Sequence, residues 1–129
     1  MILDTTFLHD VMHGEEEAVE KARKVEKEGT VHLSAMSVYE LFYGVGYTDK
    51  SRNEQRKVES VIGSKQILPA DTEVMRKAGN IDGRLSRNGE KVGQGDLVIG
   101  ATALLHDERV LTRNLDEFER IPGLEVEAY

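Results

Sequence analysis

The chain has 129 residues, 39% of them hydrophobic and 32% charged, with a formal net charge of −7 and no cysteine. That length suits one domain, residues 1–129, with a single real core, and the missing cysteine removes disulfides, thiolate nucleophiles and cysteine-type zinc sites. The acidic balance excludes broad coating of nucleic acid but not a nuclease, since a site for divalent cations must itself be acidic.

No apolar run is long enough to span a bilayer. The first residues carry no basic region of the kind that opens a signal peptide. With the cysteine count, this leads us to expect a cytoplasmic protein with no membrane partner.

Met1–Asp4 reads as a short buried strand that stops at an acid. Thr5 to Leu8 starts a helical turn that Gly14 ends, and Asp4 could simply cap it. His9 and His13 stand four apart, a metal-binding spacing, but no third ligand is near and a solvated face suits them better. Glu15–Glu28 is a charged amphipathic helix with Ala18, Val19, Ala22 and Val25 inward, stopped by Gly29.

Thr30–Leu33 alternates as a second strand. Ser34 caps a helix from Ala35 to about Gly46 that carries Glu40 among Met36, Val38, Leu41, Phe42 and Val45. Glu40 sits either on a solvated edge or in a cleft above the sheet. Tyr47–Asn53 reads as a loop, followed by a helix to about Ile62. Ile67–Pro69 is a strand stub. Asp71-Thr72 then caps a helix ending near Asn88-Gly89, and Arg84, Arg87 and Lys91 cluster just before the Gly-rich entry to the next helix.

Gly93–Leu105 is apolar nearly all round from Leu97 onward, which predicts a buried helix. Asp96 stands at its start as an N-cap or first-turn acid, or as one wall of a pocket. Gly100 allows close approach by a neighbour. His106–Glu108 is a turn, Arg109–Thr112 a strand, Arg113–Phe118 a turn or short helix, and Glu125–Glu127 a last strand. Strands alternating with helices predict an α/β fold: a mostly parallel sheet of four or five strands with helices on both faces.

Ligands of such sheets bind beyond the carboxyl ends of the strands. Asp4 ends the first strand, and the helix bearing Glu40 follows the second. Asp96 starts the helix leading to the Val110-Leu111 strand, and Asn114, Asp116 and Glu117 follow that strand. Four segments thus offer acids to one end of one sheet. Carboxylates without His or Cys favour Mg²⁺ or Mn²⁺, and such a site suits phosphodiester hydrolysis.

Leu3-Asp4-Thr5, Ser37 to Leu41 with Gly44, Gly95 to Ala103, and Leu111 to Asn114 followed by Phe118 and Pro122-Gly123-Leu124 together resemble a PIN-domain ribonuclease. More narrowly, they resemble the VapC-type toxins of toxin–antitoxin pairs. The likeness runs from the first strand to the last. It implies a PIN-like fold and a Mg²⁺- or Mn²⁺-dependent endoribonuclease.

On that resemblance Asp4, Glu40 and Asp96 match the core acids and metal ligands, and Thr5 and Thr112 match supporting hydroxyls. Asn114 stands where many members carry Asp, so Asn114 and Asp116 are expected to complete the catalytic rim. Thr6 departs from the common Asn. The resemblance also implies an RNA substrate, a cognate antitoxin and a homodimer. Arg84, Arg87, Lys91 and Arg113 are candidate RNA contacts, and Phe42, Tyr43 and Val45 a candidate partner groove or ordinary core. The alternative function is a noncatalytic PIN-like protein-interaction or RNA-binding module. The residue two after Asp4 is Thr6, which argues against an aspartyl-phosphate phosphatase. The compact length argues against a flap nuclease, and Arg113 stands where a receiver domain needs a lysine.

Overall fold

The computed structural model describes residues 1–129 in full. Five short strands, β1 (Ile2–Leu3), β2 (His32–Ser34), β3 (Gln66–Leu68), β4 (Val110–Leu111) and β5 (Val126–Glu127), alternate with seven helices. These are α1 (Thr5–Met12), α2 (Glu16–Glu28), α3 (Ala35–Tyr47), α4 (Ser51–Ile62), α5 (Thr72–Arg87), α6 (Gln94–Leu105) and α7 (Leu115–Glu119). The strands lie in the order β3-β2-β1-β4-β5 and every pairing is parallel, so the expected α/β sheet is wholly rather than mostly parallel. No helix is long and apolar enough to cross a membrane.

The strands are only two or three residues long, so alternation carries little signal in the sequence. Successive strand residues face opposite sides, and both sides are covered. Ile2 and Val110 join a core with α5, α6 and α7. Leu3, Leu33 and Leu111 join a second core with α1, α2, α3 and α4. A sheet covered on both faces needs continuous apolar strands.

α6 is the helix with no polar face. Residues Leu97 to Ala103 are all buried, and Thr102 satisfies its hydroxyl by donating to the Val98 carbonyl at 2.7 Å. A Cβ on Gly100 would stand 2.6 Å from Ile121 Cδ1 and 3.4 Å from Leu124 Cδ2. The close neighbours that Gly100 admits are therefore side chains of the segment after α7.

Three helix starts are capped as their sequences suggest. Asp4, Ser34 and Asp71 accept from the backbone N–H of Thr5, Met36 and Val74 at 2.7, 3.0 and 3.0 Å. The expected Tyr47–Asn53 loop is a correction. α3 runs through Tyr47 and α4 begins at Ser51, leaving only residues 48–50 between them. The polar run Arg52–Lys57 is the solvated face of a helix whose inner residues are Val58 and Val61, not loop composition.

Topology locates the working end. The chain moves outward from β1 to β2 and β3, then returns to place β4 on the other side of β1. Such a reversal opens a crevice at the strands' carboxyl ends, here between β1 and β4. Far from that crevice, Asp71→Ala removes one cap and should cost about 1 kcal/mol. Thermal unfolding should show this as a fall of roughly 3–6 °C in Tm, with any nucleic-acid chemistry of the protein unaltered.

Candidate active site

Asp4 leaves β1 where its backbone N–H donates to the Leu111 carbonyl of β4 at 2.9 Å. Its side chain is 1% exposed, and a buried carboxylate must be satisfied by donors. Oδ1 accepts from the Thr5 N–H. Oδ2 accepts from the Thr6 and Thr112 hydroxyls, both at 2.7 Å. Capping and the pocket are thus one arrangement rather than alternatives.

Glu40 comes from the second turn of α3, as a cleft residue rather than a solvated one. The Thr5 hydroxyl donates to Glu40 Oε1 at 2.7 Å. Having spent its proton there, Thr5 accepts from the buried Ser37 hydroxyl at 2.9 Å. The other carboxyl oxygen lies against α6. A Cβ on Gly95 would collide with Glu40 Oε2 and stand 3.0 Å from Cδ. Glycine at 95 is what lets the Glu40 carboxylate reach the α6 N-terminus.

Asp96 is a first-turn acid of α6, not its cap, since Gly93 holds the cap position without a side-chain bond. Asn114 Nδ2 donates to Asp96 Oδ2 at 3.2 Å and to Glu117 Oε2 at 3.4 Å. The Asn114 N–H donates to Thr112 Oγ1 at 2.8 Å. One amide therefore joins the β4 end, α6 and α7.

The structure brings together Asp4, Glu40, Asp96 and Asn114 from the expected set. It does not bring in Asp116, which is exposed and joins none of these contacts. Glu117, the next residue, stands beside Asp96 instead. The missed signal was Phe118, fully buried on α7. At 100° per residue, a buried Phe118 turns Asp116 to the far side and leaves Glu117 on the flank.

Crowding sets the charges. Burial first, then the bond to Glu117 and the charges of Asp4, Glu117 and Glu40, push the Asp96 carboxyl up to about 8. Glu117 moves down, chiefly through its bond to Asp96, helped by Asn114 and the Gly93 backbone. The two share one proton, held on the Asp96 side. Burial also raises Glu40, against the Thr5 hydroxyl, which lowers it.

These are oxygen donors only, the set that hard divalent cations take. No group of three or more His, Asp or Glu side chains already stands as a ready-made metal cage. The like charges are instead spaced apart by hydroxyls, an amide and a shared proton. The donor chemistry suits a small cation, with Asp4, Glu40 and Asp96 as its first candidates.

Other sequence candidates lie elsewhere. His13 uses both ring nitrogens internally, on the His9 carbonyl at 2.8 Å and on Glu54 at 3.2 Å, so the pair is a surface feature. Arg113 pairs with Asp10 at 2.9 Å. Arg84 lines a groove of about 650 Å³ with Arg76, Lys77, Leu104 and Leu105, at the end of α6 away from Asp96. In the candidate partner groove, Val45 is core and Phe42 packs against it. The exposed aromatic stripe is Tyr39, Tyr43 and Tyr47, with Tyr43 and Tyr47 stacked at 5.9 Å.

A family model described as the PIN domain matches residues 1–124. The tRNA(fMet)-specific endonuclease VapC of Salmonella typhimurium is 35% identical over 95 residues, 74% of this chain and 72% of that protein. Ribonuclease VapC2 of Rickettsia felis is 29% identical over 101 residues, 78% and 75% of the two chains. Among solved structures, DNA-bound VapBC from S. typhimurium aligns with a TM-score of 0.88 at 29% identity, over 98% of this chain and 96% of the other. VapBC2 from R. felis, bound to a promoter DNA fragment, aligns with a TM-score of 0.89 at 23% identity and the same coverage, a likeness of fold.

The Asp96 shift has a stability consequence. Between pH 3.8 and about 8 the folded chain keeps a proton that the unfolded chain has lost, so stability falls as pH rises. In chelator-treated protein, Tm should decline across this window, and Asp96→Asn should flatten the decline. Equal slopes in wild type and variant would disprove the shared proton.

Proposed function

The chain belongs to the PIN-domain family, and from that premise we propose that it is a VapC-type endoribonuclease toxin that hydrolyses RNA phosphodiester bonds with Mg²⁺ or Mn²⁺. One observation carries the reading. Acids from four separate segments come to the β1/β4 crevice, and Gly95, lacking a Cβ, leaves room for the Glu40 carboxylate at the start of α6. A noncatalytic module gives no reason for four segments to bring acids to one crevice.

Each residue has a part. Asp4, locked by three donors, would be the fixed ligand. Asp96 and Glu40 would complete the set for the cation, with Glu40 kept in place by Thr5 and Ser37. Asn114 orients Asp96 and Glu117, and Glu117 supplies the fourth acid. A bound Mg²⁺ or Mn²⁺ would lower the pKa of a water and offset charge on the phosphate oxygens. Cation binding would also displace the proton from Asp96, because a positive charge favours the ionised form.

RNA must overcome a net charge of −7, so productive binding needs the cation as well as local basic residues. The cytoplasm is the fitting compartment for a toxin acting on RNA. The similar structures are of VapBC, and on that basis an antitoxin is the partner we assign to this chain. A homodimer is the expected assembly. The exposed tyrosine stripe of α3, on the helix that bears Glu40, is the candidate contact face.

Purified protein freed of any antitoxin should cleave a structured RNA pool with Mn²⁺ or Mg²⁺ and lose cleavage with EDTA. Asp96→Asn should lower the rate by at least about a hundredfold, as when one stabiliser of transition-state charge is lost. Gly95→Ala should fold, because the colliding atom is the end of a side chain, yet lose most activity through displacement of Glu40. Full activity in EDTA, or in Asp96→Asn, would refute the assignment.

A further inference from the structure

Asp10 lies outside the acid cluster, on the second turn of α1, and is 7% exposed. A buried carboxylate of this kind needs partners, and it has two that come from distant parts of the chain. Arg113 Nη1 stands 2.9 Å from Asp10 Oδ2, an ion pair. The Tyr129 hydroxyl donates to the same oxygen, while its ring rests edge-on against Phe7 at 4.8 Å. Burial first, then the Asp10 carboxylate, raises the Tyr129 hydroxyl above the ordinary tyrosine range, so it stays a donor.

Arg113 is the middle residue of the corner that follows β4. On one side, Thr112 gives its hydroxyl to Asp4 and its N–H to the Glu127 carbonyl of β5 at 3.0 Å. On the other side, Asn114 gives its amide to Asp96 and Glu117. The corner has three successive side-chain anchors, and two of them are site residues. The third points away from the acids, to Asp10.

We propose that Asp10 is a positioning residue for RNA cleavage: through Arg113 it fixes the Thr112–Asn114 corner that delivers a hydroxyl to Asp4 and an amide to Asp96. The proposal rests on the nuclease reading but adds a residue that makes no contact with the site acids. An arginine on a two-residue lever between Thr112 and Asn114 converts a fixed guanidinium into a fixed backbone. Tyr129 closes the same oxygen from the β5 side, so α1, the corner and the segment after β5 are tied at one atom. Misplacement of catalytic groups by about 1 Å costs up to about a hundredfold in rate.

Asp10→Asn keeps the volume and loses the charge. With short RNA substrates it should lower kcat by about tenfold or more while KM stays within about twofold. Arg113→Met, at an exposed side chain, should do the same, Arg113→Lys should recover part of the loss, and the double variant should lose no more than either single one. Independently of activity, exchange of the Asn114 backbone N–H with solvent should accelerate in Asp10→Asn and Arg113→Met, measured by NMR.

A raised KM at unchanged kcat would make Arg113 a substrate grip and overturn the proposal. Losses that multiply in the double variant would show that Asp10 does not act through Arg113. Losses that match the fall in folded fraction would reduce Asp10 to a stability role. Unchanged Asn114 exchange overturns the proposal whatever the activity. Absence of cleavage by wild-type protein would sink the nuclease reading instead and leave the exchange experiment to decide this one.

Discussion

The buried carboxylate of Asp4 is the constraint on which the architecture depends. It sits between the two central strands at a depth where an unsatisfied charge is prohibitive. Its three donors come from the first turn of α1 and from the end of β4. Satisfying Asp4 therefore fixes where α1 begins, how β1 and β4 stay in register, and which way Thr112 turns. Leu3 pairs with Leu111, so the next residues along, Asp4 and Thr112, are brought side by side by the sheet itself.

The rest of the site is a managed repulsion. Four acids cannot all ionise at close range without a cation, and the chain uses three devices to hold them apart. A hydroxyl relay from Ser37 through Thr5 steadies Glu40. An amide at Asn114 stands between Asp96 and Glu117. A proton remains on Asp96 well above the usual carboxylate range. Asn at 114 fits this economy, since a fifth carboxylate there would face both Asp96 and Glu117 with no proton of its own to donate.

Much of this was legible from residue order. Asp4, Glu40 and Asp96 could be placed because strand ends and helix starts have local signals, and because a parallel sheet gathers them at one end. What was not legible depended on rotational phase. Asp116 and Glu117 are adjacent in sequence but a quarter-turn apart on α7, and only the burial of Phe118 decides between them. Phase likewise separates Val45, which is core, from Tyr43, which is exposed, on α3. The α3–α4 boundary was obscured because a solvated helix face and a loop share the same composition.

One long-range connection left no sequence signal at all. Nothing in the spacing of Asp10 and Arg113 announces an ion pair across 103 positions. Yet the fold makes that pair intelligible. β4 enters the sheet beside β1, and α1 leaves directly from β1, so the corner after β4 must pass close to α1. Any residue of that corner turned away from the acids meets the flank of α1, and a buried acid there can be tolerated only if the passing chain brings a cation. The parallel order that gathers the carboxylates of the candidate site thus also determines which charge must stand behind them.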